Sequence, residues 1–236
     1  MATVSFPEAA QAERTPPLVA GDRLTAAEFE RRYRAMPHVT KAELIEGVVY
    51  MPSPVSTEDH AEPHAHLMGW LVFYKAYTPG VQCGDNATLR LDLDNRPQPD
   101  AFLRIRPEHG GHSQTAEGYV VGGPELTAEI TASSASYDLH DKLNAFRRNG
   151  VQEYIVWRVL DREIDWFRLV ESRYERLSPS PSGRLESLVF PGLWLDAPAL
   201  LAGDMARVLE MLQQGIHSPE HAAFVAKLAA AQPAAR

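Results

Sequence analysis

A chain of 236 residues, 44% of them hydrophobic, is long enough to bury one sizeable core. Its 31 acidic and 23 basic residues leave a net charge of −8 and a pI near 5.6, which excludes a protein that coats nucleic acid by bulk charge. The single cysteine, Cys83, rules out an internal disulfide; with no apolar stretch of membrane-spanning length and no basic-then-apolar leader, a cytoplasmic protein with no membrane partner is expected.

Residues 1–20, rich in Ala, Pro and Glu, read as a flexible arm. Thr25-Ala-Ala-Glu28 has capping-box spacing, and Phe29 and Tyr33 form the apolar face of a short helix that Met36-Pro37 ends. In residues 43–51 apolar side chains alternate on either side of Gly47, which predicts a hairpin with Glu46 beside its turn. Pro52-Ser-Pro54 breaks the strand. Residues 58–77 place His60, His64, Leu67, Leu71 and Tyr74 on one helical face, with Pro63 tolerated in the first turn. His60, His64 and His66 lack the partners of a zinc set, so His60 and His64 are read as supporting or substrate-facing. Residues 81–93 and 98–105 read as strands, the second starting at Asp100. The glycine-rich stretch 106–123 reads as a loop with room for a small hairpin of its own, long enough to act as a flap over a site.

Residues 124–157 organise the rest. Leu126-Thr-Ala-Glu-Ile130 reads as a buried strand interrupted by one carboxylate, Glu129. After a small-residue turn, Tyr137, Leu139, Leu143 and Phe146 recur at helical spacing, with Asp138 as a first-turn acid and Asn149-Gly150 as a left-handed stop. Tyr154-Ile-Val-Trp157 is the next strand. Strand, helix and strand with short joints predict a crossover unit in an α/β (α+β) fold. A carboxylate among apolar residues is costly unless it is paired, hydrogen-bonded or metal-bound, and Lys142 is placed to reach back to it. The same residues also fit an exposed edge-strand Glu and a solvated Lys. Two meander strands (163–169 and 172–177), an apolar lid or edge segment (188–195) and two amphipathic helices (199–214 and 219–231) complete the chain. The helices, carrying Leu209, Leu212, Phe224, Val225 and Leu228, are expected to pack on the domain or to form a homodimer contact.

Glu46, Asp100 and Glu129 are therefore three acids near strand ends or turns of one core. Carboxylates on adjacent strands make the oxygen-rich site that Mg²⁺ prefers, and a nearby lysine can orient or help activate a water for attack on phosphorus.

At this point the sequence resembles the Uma2-type restriction endonucleases of the PD-(D/E)xK nuclease superfamily. The residues that carry the resemblance are Glu43-Leu-Ile-Glu-Gly47 with Met51-Pro-Ser-Pro54, His60 and His64, Pro99-Asp100, and Glu129-Ile130 with Ser133-Ser134. Asp138-Leu-His-Asp-Lys142 and Gly150-Val-Gln-Glu-Tyr154 complete the set. The resemblance implies a restriction-endonuclease-like core, a mixed central sheet flanked by helices, over residues 21–200, followed by C-terminal helices at 201–236. It also implies a divalent metal, Mg²⁺ or Mn²⁺, held by Asp100 and Glu129, an N-terminal acid at Glu46 and an active-site lysine at Lys142. Thr131 stands where the superfamily places its lysine, and Lys142 on the following helix takes over that position in this reading. The expected function is Mg²⁺-dependent hydrolysis of DNA phosphodiester bonds by a catalytic set of Glu46, Asp100, Glu129 and Lys142. The alternatives are a non-catalytic interaction protein that keeps the fold, or a phosphodiesterase acting on RNA or nucleotides.

Overall fold

The computed structural model describes residues 15–51, 56–132 and 137–231. The expected strand break at Pro52-Ser-Pro54 and the motif residues Ser133-Ser134 lie outside the described residues, as does most of the predicted arm. Leu18, near the start of the described chain, is buried with Ala26, Phe29, Leu44 and Val49. The elements up to the central sheet are α1 (Ala26–Arg34), β1 (Glu43–Ile45), β2 (Val48–Tyr50), α2 (Glu62–Ala76), β3 (Val81–Asp85), β4 (Leu89–Arg90) and β5 (Ala101–Ile105). They continue with β6 (Gln114–Ala116), β7 (Tyr119–Val121), β8 (Leu126–Thr131), α3 (Leu143–Arg148), β9 (Glu153–Arg158), β10 (Glu163–Val170) and β11 (Arg173–Arg176). The last are β12 (Arg184–Glu186), β13 (Trp194–Asp196), α4 (Ala197–Leu201), α5 (Met205–Ile216) and α6 (Pro219–Ala231). Wide helical turns, Thr57–Ala61 and Asp138–Lys142, lead into α2 and α3. Thr25 caps α1, its hydroxyl oxygen accepting from the Glu28 amide at 3.4 Å.

Six strands form a mixed central sheet in the order β11-β10-β9-β8-β5-β3. Of its neighbouring pairs only β8 and β9 are parallel, and the chain between them crosses over through α3, as strand–helix–strand spacing requires. All six residues of β8 are buried, the mark of a central strand covered on both faces. Leu126, Ala128 and Ile130 join the main core, where α2 (Leu67, Trp70, Leu71, Tyr74) and the C-terminal helices (Val208, Leu212, Phe224, Leu228) pack. By alternation Thr127, Glu129 and Thr131 face the other side, where Phe146 of α3 packs with Phe102, Tyr154 and Val156.

Four local expectations change. The strand expected over 81–93 splits into β3 and β4 at Asn86, whose φ of 48° is left-handed; Leu93, the last residue of the alternation, is 81% exposed. The stretch 106–123 is not a flap: it folds into a short turn and the hairpin β6–β7, whose β7 pairs with β4, and none of it lines the main pocket. The segment 188–195 is not a lid either, because Phe190, Leu193 and Leu195 are buried in the main core. Glu153 ties this segment down, accepting from the Ser187 hydroxyl and Leu188 amide at 2.7 Å each. The helix expected over 199–214 is two helices, separated at Gly203 (φ 75°) and restarted by Asp204 as N-cap.

Cys83 on β3 is half-buried, and burial, with Asp85 nearby, pushes its thiol up to about 11. Native protein at mildly alkaline pH should therefore alkylate with iodoacetamide roughly a hundredfold more slowly than the unfolded chain, the ratio of their thiolate populations. Equal rates in native and denatured protein would contradict the placement of Cys83.

Candidate active site

The register of the sheet brings two of the expected acids together. Ala101 of β5 pairs with Ala128 of antiparallel β8, so continuing the ladder by one residue sets Asp100 opposite Glu129. Asp100 Oδ2 accepts the Ile130 amide at 2.9 Å, which locks it to the end of β8. His60, on the turn before α2, reaches the same oxygen with Nε2 at 3.2 Å. One helical turn on, His64 Nε2 lies 2.9 Å from the Asp100 carbonyl oxygen and 3.1 Å from Asp85 Oδ1. On the other side of Glu129, Lys142 projects from the turn before α3 with its Nζ 2.9 Å from Glu129 Oε1. The same ammonium lies 3.0 Å from Glu43 Oε1 and 3.6 Å from Asp138 Oδ1.

Glu46 stands outside this cluster. It occupies the hairpin turn with Gly47, both in left-handed conformation (φ 52° and 74°), and its carboxylate pairs with Arg148 at 2.6 Å on the surface. The acid that β1 sends inward is Glu43, 4% exposed, which also accepts the Gln98 amide at 2.6 Å. Sequence reasoning quoted Glu43 in the motif without giving it a role, read Asp138 only as a first-turn acid, and passed over Lys41. Lys41 Nζ lies 3.2 Å from Asp100 Oδ1. The usable signal was position: Glu43 lies within β1, whose three residues are all buried, whereas Glu46 falls in the turn.

These groups line one pocket of about 1280 Å³, together with Tyr50, Tyr137, His60, His64, Asn86 and a wall of Val48, Val49, Met51, Ile130 and Leu160. Burial disfavours the Lys142 charge, but Glu129, Glu43 and Asp138 outweigh it and hold the amine well above its ordinary range. For Asp100, burial is overcome by His60, Lys41 and the Ile130 amide, which keep the carboxyl well below the usual carboxylate range. Glu129 goes the other way. Burial, reinforced by Asp100, Asp138 and Glu43, pushes its carboxyl well above normal despite Lys142. Four carboxyl groups, those of Asp100, Glu129, Glu43 and Asp138, thus share the two lysines Lys41 and Lys142.

Among the described residues no group of three or more His, Cys, Asp and Glu side chains is placed to hold a metal ion by itself. The donors fit a magnesium-like ion nonetheless. Asp100, one residue before β5, and Glu129 of the adjacent β8 offer hard oxygen donors next to each other. Mg²⁺ is commonly held by one or two carboxylates, taking its other ligands from water and substrate phosphate. An ion bound there would relieve the mutual repulsion that raises the Glu129 carboxyl.

The arrangement as a whole is that of a nuclease fold. The structure is similar to that of a putative nuclease belonging to DUF820 from Anabaena variabilis ATCC 29413, with a TM-score of 0.54 at 13% identity, covering 77% of this chain and 97% of that one. The family model of Uma2, "Putative restriction endonuclease", matches residues 26–198, and the chain belongs to the Uma2 family. No curated protein matches it significantly. Among the described residues no helix is long and apolar enough to cross a membrane.

Proposed function

We propose that this chain is a Mg²⁺-dependent endonuclease that hydrolyses DNA phosphodiester bonds, with Mn²⁺ able to replace Mg²⁺. The observation that carries the reading is that Asp100, one residue before β5 and bonded to the Ile130 amide, stands beside Glu129 of β8, with Lys142 2.9 Å from Glu129, in a pocket large enough for a nucleotide unit. In this reading Asp100 and Glu129 hold the ion. When bound, it polarises the phosphate and neutralises the charge that develops on phosphorus. His60 and the Ile130 amide fix the orientation of Asp100, as outer partners of a ligand should. Lys142 holds Glu129, Glu43 and Asp138 at fixed separation and lowers the cost of their mutual repulsion. Glu43 takes the place that the sequence had assigned to Glu46 as the acid from the N-terminal hairpin. Cutting both strands of a duplex takes two such sites, so a homodimer in the cytoplasm is the working form we assign.

The test is calorimetric titration of Mg²⁺ and Mn²⁺ into wild type and Asp100→Ala, followed by a cleavage panel of duplex DNA, single-stranded DNA, RNA and nucleotides. Binding that is present in wild type and lost in the variant, with cleavage of DNA, is the expected result. Metal-dependent cleavage confined to RNA or nucleotides would move the assignment to another phosphodiesterase. Absence of both metal binding and turnover would favour a non-catalytic interaction protein. The net charge of −8 makes DNA binding strongly salt-sensitive, so the panel belongs at low ionic strength first.

A further inference from the structure

Two lysines reach the acidic cluster, and their surroundings differ. Lys142 is enclosed: three carboxylates of its own chain surround the ammonium, the Tyr137 ring lies 5.3 Å away, and the side chain is 4% exposed. A phosphate oxygen could meet that ammonium only by displacing a buried acid, leaving the acid without its counter-charge. Lys41 is open. It arrives from the segment just before β1, lines the pocket, and its side chain is 26% exposed. Its two partners are Asp100 Oδ1 at 3.2 Å and the side-chain oxygen of Asn86 at 3.1 Å. Asn86 is neutral and exposed, so an incoming anion can replace it without stranding a buried group.

We propose that Lys41, rather than Lys142, is the lysine that grips the substrate phosphate. This rests on the phosphodiesterase reading above and adds the polarity of the pocket to it. On one side lie the acids Glu43, Glu129 and Asp138, tied together by Lys142; on the other lies a donor wall of Lys41, His60 and His64 around Asp100. A phosphodiester entering this space presents non-bridging oxygens that need a donor not already enclosed by carboxylates. A lysine is suited to that task as a compact charge with three donors on a flexible stem.

The experiment measures binding of a fluorescein-labelled DNA duplex in Ca²⁺ by anisotropy, and steady-state cleavage in Mg²⁺, for wild type, Lys41→Ala and Lys41→Arg. Losing one charge-assisted hydrogen bond should weaken binding and raise KM by about 10- to 100-fold in Lys41→Ala, with a smaller change in kcat. Lys41→Arg should recover most of the affinity. Lys41→Gln, which keeps a donor without the charge, carries the same readout if the alanine variant does not fold. A lower Tm with unchanged KM would reduce Lys41 to a structural counter-charge for Asp100 and overturn the proposal. If wild type cuts DNA and Lys41→Ala matches it, this assignment alone fails. If wild type neither binds nor cuts, the phosphodiesterase reading fails and this one with it.

Discussion

Lys142→Met is expected to destabilise the fold by about 3–5 kcal/mol, the usual cost of removing one partner from a buried ion network. For a chain of this size that corresponds to a fall in Tm of roughly 10 °C or more, measurable by thermal unfolding at neutral pH. The variant removes the ammonium that sits 2.9 Å from Glu129 and 3.0 Å from Glu43 and leaves three acids, all 6% exposed or less, facing one another. The sign with pH follows. A carboxyl whose folded pKa is raised binds its proton more tightly in the fold, so its stability contribution is full below the unfolded pKa and is lost as pH rises through the folded value. Glu129 is already raised in the native protein, and removing Lys142 raises it further. The deficit of the variant should therefore be largest at neutral to alkaline pH and shrink on acidification. A Tm within about 2 °C of wild type at neutral pH would mean that Lys142 is not holding the acids.

Glu129→Gln should do the reverse: lower cleavage by about a thousandfold or more while leaving the protein folded. Metal-assisted charge stabilisation at phosphorus supplies several kcal/mol of the barrier, and each 1.36 kcal/mol is about tenfold in rate. The amide is nearly isosteric, its oxygen can still accept from Lys142, and Lys142 retains Glu43 and Asp138. Because burial and the neighbouring acids already hold the Glu129 carboxyl well above its ordinary range, a neutral amide suits the site and Tm should be unchanged or higher. Glu46→Gln is the matched control. Its carboxylate pairs with Arg148 at the surface, an interaction worth about 1 kcal/mol or less, and both activity and stability should stay near wild type. Full cleavage by Glu129→Gln would remove Glu129 from the site, and loss of cleavage in Glu46→Gln would restore the role that the sequence suggested for Glu46.

The elements legible in advance were those with local causes. Thr25 caps a helix because its hydroxyl and the Glu28 amide are three residues apart. Gly47 turns a hairpin because a two-residue turn needs left-handed backbone. Strand–helix–strand spacing around Glu129 and Lys142 leaves little choice but a crossover. Where the expectation changed, the pattern was local but its environment was not. Alternation over 81–93 looked like one strand, yet Asn86 bends the chain and Leu93 points into water. Over 106–123 the small hairpin forms, but the flap role does not hold, because the hairpin pairs with β4 away from the pocket.

The sequence by itself determined the nuclease class of the fold and the identity of Asp100, Glu129 and Lys142 as a group worth bringing together. An acid in an apolar strand and a lysine one turn into the next helix are visible in a one-dimensional pattern, because burying an unpaired carboxylate is too costly to occur without a partner. Only the tertiary structure decided which acid completes the cluster and which lysine faces the open pocket. Glu43 and Glu46 differ by three positions, and a place inside the buried strand β1 against a place in the turn sends one to Lys142 and the other to Arg148. Lys41 and Asp100 are 59 residues apart, and their contact depends on how the chain before β1 lies across the end of β5. Charge balance in a buried site is a sum over groups that no local period relates, so it exists only once the strands are side by side.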